Sequence, residues 1–152
     1  MTEFRFRDAA ADVIRTDLLV VPVAERDLEK PPLYLLDRRL RGKLRERIQK
    51  TRFSGGEGNH LILPTGGVLA ATNLLLAGMG KPEEIDADSW RRMAGRVRRE
   101  AGSLGAADAA IYFDPGAEQE NAAAAIVEGT LLASYQFNKY RSNSRPDRKS
   151  VV

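Results

Sequence analysis

The chain holds one histidine, His60, where a glycine-rich stretch, "RFSGGEGNH", runs into an apolar one, "HLILPT". An imidazole there could move a proton, but triad hydrolysis also needs a nucleophile and an orienting acid, and no G-x-S-x-G elbow occurs. With no cysteine in the sequence, thiolate nucleophiles, disulfides and cysteine-held zinc are excluded. His60 therefore reads as a solvated residue at a strand end. The densest carboxylates, Glu83, Glu84, Asp86 and Asp88 in "KPEEIDADSW", could draw a cation but lack the D-x-D-x-D-G order of a calcium loop. Because they directly precede a helical apolar pattern, they fit helix capping, with Asp86 or Asp88 at the N-cap.

Glycines invite a phosphate-binding reading. Gly80-Lys81 is followed by Pro82, however, and Leu75 stands where a P-loop needs its first glycine, so that motif fails. Glycines at strand ends can still admit a nucleotide at the carboxyl edge of an α/β sheet, and that reading stays open. Arg38, Arg41 and Arg45 follow one another at steps of three and four. On one helix they would project together and could meet phosphates, although Asp37 and Glu46 dilute their field and no aromatics interleave for stacking.

The elements that must position these groups are legible from periodicity. "TDLLVVPV" is a near-continuous apolar run, the pattern of a strand buried on both faces. Leu33, Leu36, Leu40, Leu44 and Ile48 predict one long helix, opened by Pro31 and Pro32, with an apolar stripe toward the sheet. "RFSGGEGNH" predicts a flexible loop. "HLILPT" and "NLLLAGMG" predict two closely connected strands, with room in "GGVLAAT" for a turn or a small extra strand. Trp90, Met93, Val97, Ala101 and Leu104 predict a second striped helix, stopped by Gly105. "DAAIYFDP" predicts a strand, and from about Glu118 an Ala-rich helix follows, in which Val127, Leu131 and Tyr135 keep a spacing of four. "EFRFRD" and "DVIR" suggest one or two further edge strands. Such alternation of strands and helices builds a sheet covered on both faces.

At 152 residues the chain is the size of one ordinary domain. Its net charge of +3 permits a nucleic-acid partner without demanding one. No apolar run reaches the roughly 18 residues of a membrane span. The opening "MTEFRFRDAA" lacks a secretory pattern, so the cytoplasm is the expected location and no membrane partner is expected. "RSNSRPDRKSVV", with Pro146 and four basic groups, reads as a linker or tail over 143–152, while Val151 and Val152 could begin something beyond it.

Glu128, Gly129, Leu131, Leu132, Tyr135, Phe137, Tyr140, Arg141 and Ser142 match E-G-x-L-L-x-x-Y-x-F-x-x-Y-[KR]-S. That pattern closely resembles the end of the N-terminal domain in the leucyl (cytosol) aminopeptidase family. "FSGGEGNHLILPT" and "NLLLAGMGK" agree in order, so the resemblance covers residues 4–142. The chain departs from the family's pattern at Ala133, Gln136 and Asn138.

The resemblance implies a three-layer, macro-domain-like α/β fold over 1–142, with a mixed, mostly parallel sheet and helices on both faces. It implies a non-catalytic accessory or assembly domain that precedes a larger catalytic domain absent from these residues. The parent would be a metallo-exopeptidase with two divalent metals, zinc or manganese, held by carboxylates and a lysine around N-T-D-A-E-G-R. That motif does not occur here, so this chain is expected to carry no cofactor and no activity of its own. Family members form hexamers, and some bacterial ones contact DNA through this domain. Tyr135, Phe137, Tyr140 and Arg141 become candidate domain-junction residues: Leu131 and Tyr135 as core, the other three where the helix leaves for the partner domain, Tyr140 at least partly exposed. The alternative is a stand-alone binding module for nucleic acid or an ADP-ribose-like nucleotide.

Overall fold

The computed structural model describes residues 3–5, 9–112, 119–140 and 150–151, with the backbone alone for 119–120, 135–140 and 150–151. Strand β1, Leu18–Ala24, is buried at every residue but Pro22. Alternation along it sends Leu19, Val21 and Val23 to one face and Leu18 and Val20 to the other. It therefore lies at the centre of the sheet, whose order is β2-β3-β1-β4-β5. Strands β3 (Asn73–Gly80) and β4 (Asp108–Ile111) flank it in parallel. Strand β2 (His60–Pro64) closes one edge antiparallel to β3, and the short β5 (Ser150–Val151) pairs in parallel with β4, so the end of the expected tail adds a strand to the sheet. The expected mixed, mostly parallel sheet is present.

Helices cover both faces. On the first, Leu33, Leu36, Leu40 and Leu44 are buried against β1 and β3, with Ile48 partly buried beside them. Burial of each such leucine contributes roughly 1.5–3 kcal/mol. The predicted single helix is, however, two: α1, Leu33–Arg39, and α2, Lys43–Thr51. Arg41 and Gly42 both take positive φ, +55° and +82°, and a right-handed helix cannot pass through them. Gly42 offers no side chain to cap α2. Asp37 does so instead, accepting the Arg45 N–H at 2.8 Å.

The second face carries α3, Ala87–Leu104, and α4, Gln119–Tyr140. Met93, Val97 and Ala101 are buried as the stripe predicts and Gly105 ends α3 at φ +69°, but Leu104 is 42% exposed. Asp86 is the N-cap: it accepts the Ser89 N–H at 2.9 Å, and the Ser89 hydroxyl accepts the Asp86 N–H at 3.1 Å. The hydrogen bonds that the Ser89 N–H and hydroxyl donate to it hold the Asp86 carboxyl below its usual pKa of 3.8. Because the folded pKa is depressed, the cap's contribution is present above about pH 4 and is lost as pH falls through the lower, folded pKa. Asp86→Ala is thus expected to lower the melting temperature at pH 7. Wild type and variant should converge in strongly acidic buffer, which paired thermal melts across pH check.

The N-terminal edge shows no strand among the described residues. "DVIR" enters a 3-10 turn at Ala11–Val13, with Ala11 buried in the first core, Ile14 partly buried against it and Val13 exposed. Residues 3–5 form no strand, and 6–8 lie outside the described residues. "GGVLAAT" contributes bends and no extra strand.

Candidate functional site

β1 crosses to β3 through α1 and α2 on one face, and β3 crosses to β4 through α3 on the other, so the chain changes direction around β1. In such sheets the carboxyl ends diverge and leave a crevice. Pro22 sharpens this opening. The Val20 carbonyl accepts the Tyr112 N–H at 2.9 Å, so Val20, and by period two Pro22, face the β4 side. β4 pairs only as far as Val20, and the missing N–H of Pro22 falls where no ladder needs it. The resulting cleft, about 260 Å³, is lined by Pro22, Leu33, Met79, Ile85, Trp90 and Tyr112, among others. Asp27 and Lys30 belong to the same lining and form an ion pair of 2.8 Å.

A broader groove of about 620 Å³ lies at the opposite, amino edge, lined by Arg15, Asp17, Val68 and Asp108 among others. Its carboxylates are structural. Asp108 accepts the Asp17 N–H and the Thr16 hydroxyl at 2.8 and 2.9 Å, and Asp17 accepts the Ala107 N–H at 2.6 Å. The carboxyl-edge cleft is the better candidate.

The glycine-rich loop is a seal rather than a flexible or phosphate-binding segment. Gly78 donates to the Asn59 carbonyl at 2.8 Å and Gly80 to the Gly55 carbonyl at 2.9 Å, lashing residues 55–59 onto β3. Contact this close requires glycine: a Cβ on Gly78 would lie 2.1 Å from the Gly56 carbonyl oxygen. His60, at the start of β2, is exposed with its Nε2 3.6 Å from Glu100, where an ion pair forms only if the imidazole is protonated. Among the described residues no group of three or more histidine or acidic side chains converges as a metal site.

The three arginines do not share a helix face. Arg38 is in the last turn of α1, Arg41 in the left-handed break, and Arg45 in α2 with its Nε 3.9 Å from Asp37. The break at Gly42 that splits the helix removes the single face on which they were expected.

The terminal motif divides in a similar way. Gly129 packs on the α3 backbone: a Cβ there would come within 2.3 Å of the Arg91 carbonyl oxygen. Ala122, Ala125, Ile126, Thr130 and Ala133 are buried with it. Arg98, 3% exposed, donates from Nε to the Ser134 hydroxyl at 3.1 Å, and burial pushes its pKa down. Glu128 accepts from Arg91 Nε at 2.7 Å across the rim. Leu131, expected in the core, is instead 49% exposed and Leu132 59% exposed. The small residues, not the large ones, set the face that α4 turns to α3. The side chains of Tyr135, Phe137 and Tyr140, including the expected exposure of Tyr140, lie outside the described residues, as does Arg141; the α4 backbone is helical through Tyr140.

Sequence reasoning did not single out Asp27, Lys30 or Tyr112. Their one available signal was Pro22 inside a central-strand pattern, which marks where a ladder must stop.

The N-terminal domain model of the cytosol aminopeptidase family matches residues 20–144. A probable cytosol aminopeptidase of Alkaliphilus oremlandii is 32% identical over 142 residues, covering 91% of this chain and 28% of that protein. The chain thus spans less than a third of such a relative's length. A mutant tomato leucine aminopeptidase superimposes with a TM-score of 0.81 at 26% identity, over 95% of this chain and 30% of the tomato chain. The macrodomain of Mycobacterium tuberculosis DarG does so with a TM-score of 0.67 at 14% identity, over 99% and 97% of the two chains, which shows a macro-domain-like fold. From its fold and these matches, the chain belongs to the cytosol aminopeptidase family, of which it presents the N-terminal domain.

Proposed function

We propose that this chain is the non-catalytic accessory and assembly domain of a cytoplasmic, metal-dependent leucyl aminopeptidase that removes N-terminal amino acids from peptides. One observation carries the reading: the similarity runs over nearly all of this chain but over only 28% of the Alkaliphilus protein. The two divalent metals, zinc or manganese, and the catalytic groups belong to the remaining portion, as does most of a hexameric assembly. Tyr135, Phe137, Tyr140 and Arg141 lead toward that portion. Exposed Leu131 and Leu132, just ahead of them on α4, support a surface that a further domain covers.

The purified chain, supplied with manganese or zinc, is expected to leave a leucine anilide unhydrolysed; clear turnover would overturn the reading. The nucleic-acid alternative rests on Arg38, Arg41 and Arg45, which do not lie on a single helix. Titration with duplex DNA at low salt is expected to show no binding. Salt-sensitive binding abolished by changing all three arginines to Glu would establish that alternative instead.

A further inference from the structure

We propose that the carboxyl-edge cleft binds a free apolar α-amino acid as its zwitterion. Size is the first argument. Pockets for drug-sized ligands measure roughly 300–1,000 Å³, whereas this cleft offers about 260 Å³, room for one small molecule and not for a dinucleotide.

Charge is the second. A phosphate needs converging N–H donors or an unopposed cation. Around this cleft four loop N–H groups are spent on carbonyls: Glu25 on Gly80 at 2.9 Å, Asp27 on Ala24 at 3.1 Å, Lys30 on Asp27 at 3.2 Å and Leu33 on Lys30 at 3.0 Å. Lys30 is the one cation in the lining, and Asp27 neutralises it. A neutral pair of opposite charges is complemented by another such pair. An α-ammonium group would sit against the Asp27 carboxylate and an α-carboxylate against the Lys30 ammonium, closing a ring of four alternating charges. The Lys30 side chain, 70% exposed, is free to swing to this arrangement, while Asp27, 32% exposed, is the more fixed partner.

The third argument is the apolar lining beside that pair. Leu33 and Met79 are buried, and Ile85, Trp90 and Tyr112 are half-buried around the same space, offering hydrocarbon and ring surface to an apolar side chain. The site stands on this geometry. Only its biological sense rests on the aminopeptidase reading, since free amino acids are what such an enzyme releases.

Calorimetric titration of the metal-free chain with L-leucine tests the proposal. Saturable binding is expected, with affinity at least tenfold weaker for leucinamide, which lacks the carboxylate, for 4-methylpentanoate, which lacks the ammonium, and for glycine, which lacks the side chain. Asp27→Asn and Lys30→Gln should each weaken leucine binding to a similar extent without moving the thermal unfolding transition. No heat with leucine at millimolar concentration would overturn the proposal. So would leucinamide binding as tightly as leucine, or adenosine monophosphate binding where leucine does not. Neither peptide nor metal is present, so failure here leaves the aminopeptidase reading untouched, and turnover by the isolated chain would leave this site untouched.

Discussion

Gly78→Ala is expected to cost about 3 kcal/mol or more, at the upper end of what overpacking does, and to lower the melting temperature by roughly 6–12 °C. In an open strand the same change would help by roughly 0.4–1 kcal/mol, because alanine restricts the unfolded chain. Here the added methyl meets the Gly56 oxygen at 2.1 Å, the Asn59 oxygen at 2.8 Å and the Gly55 carbonyl carbon at 3.0 Å. All three are backbone atoms, so no side chain can rotate away. Relief requires lifting residues 55–59 off β3, which breaks the bonds that Gly78 and Gly80 donate to Asn59 and Gly55. Gly58→Ala separates sterics from conformation. Gly58 has φ +84° but nothing within 4 Å of its added Cβ, so only the left-handed penalty of about 1–2 kcal/mol applies. Urea unfolding of the two variants gives the comparison. A Gly78→Ala protein no less stable than Gly58→Ala would show that the loop is not sealed to the strand.

This seal shows where composition misleads. Three glycines within four residues, Gly55, Gly56 and Gly58, read as flexibility, because a sequence displays a glycine's freedom and not the contact that consumes it. What periodicity encodes was legible: the buried β1, the leucine stripe, the Asp86 cap and the Gly105 stop all stand where the pattern puts them. Breaks that preserve periodicity were not. Leu40 is buried at the α1–α2 junction and keeps the stripe in step across it, so only the positive φ of Arg41 and Gly42 reveals two helices. The candidate cleft was less legible still. Asp27 and Lys30 lie in what reads as an ordinary polar turn, and they become neighbours of Trp90 and Tyr112 only once the sheet places four separate segments at one edge. The family, in contrast, was carried by the terminal motif, whose contiguous residues needed no fold to be read.

The glycine within that motif carries the second large effect. Gly129→Ala is expected to destabilise the domain by about 2–3 kcal/mol, since its methyl would meet the Arg91 oxygen at 2.3 Å and the Arg91 Cα at 2.8 Å. Intrinsic propensity argues the other way, because alanine is favoured over glycine inside a helix by about 0.8–1.0 kcal/mol. The clash prevails because α4 can escape it only by moving away from α3. That movement would loosen Ala125, Ile126 and Thr130 from their buried positions and lengthen the Arg98–Ser134 hydrogen bond under the helix. Gly95, facing this seam from α3, supplies the control. Its added Cβ would meet Ala133 Cβ at 3.8 Å and the Gly129 oxygen at 3.9 Å, ordinary contacts, so Gly95→Ala should keep the propensity gain and be neutral or up to about 1 kcal/mol stabilising. Opposite signs for these two helical Gly→Ala changes, read from urea midpoints at unchanged slope, would show that the α3–α4 approach distance is set at Gly129. Equal effects would mean that the helices adjust freely and that this glycine does not hold them in place.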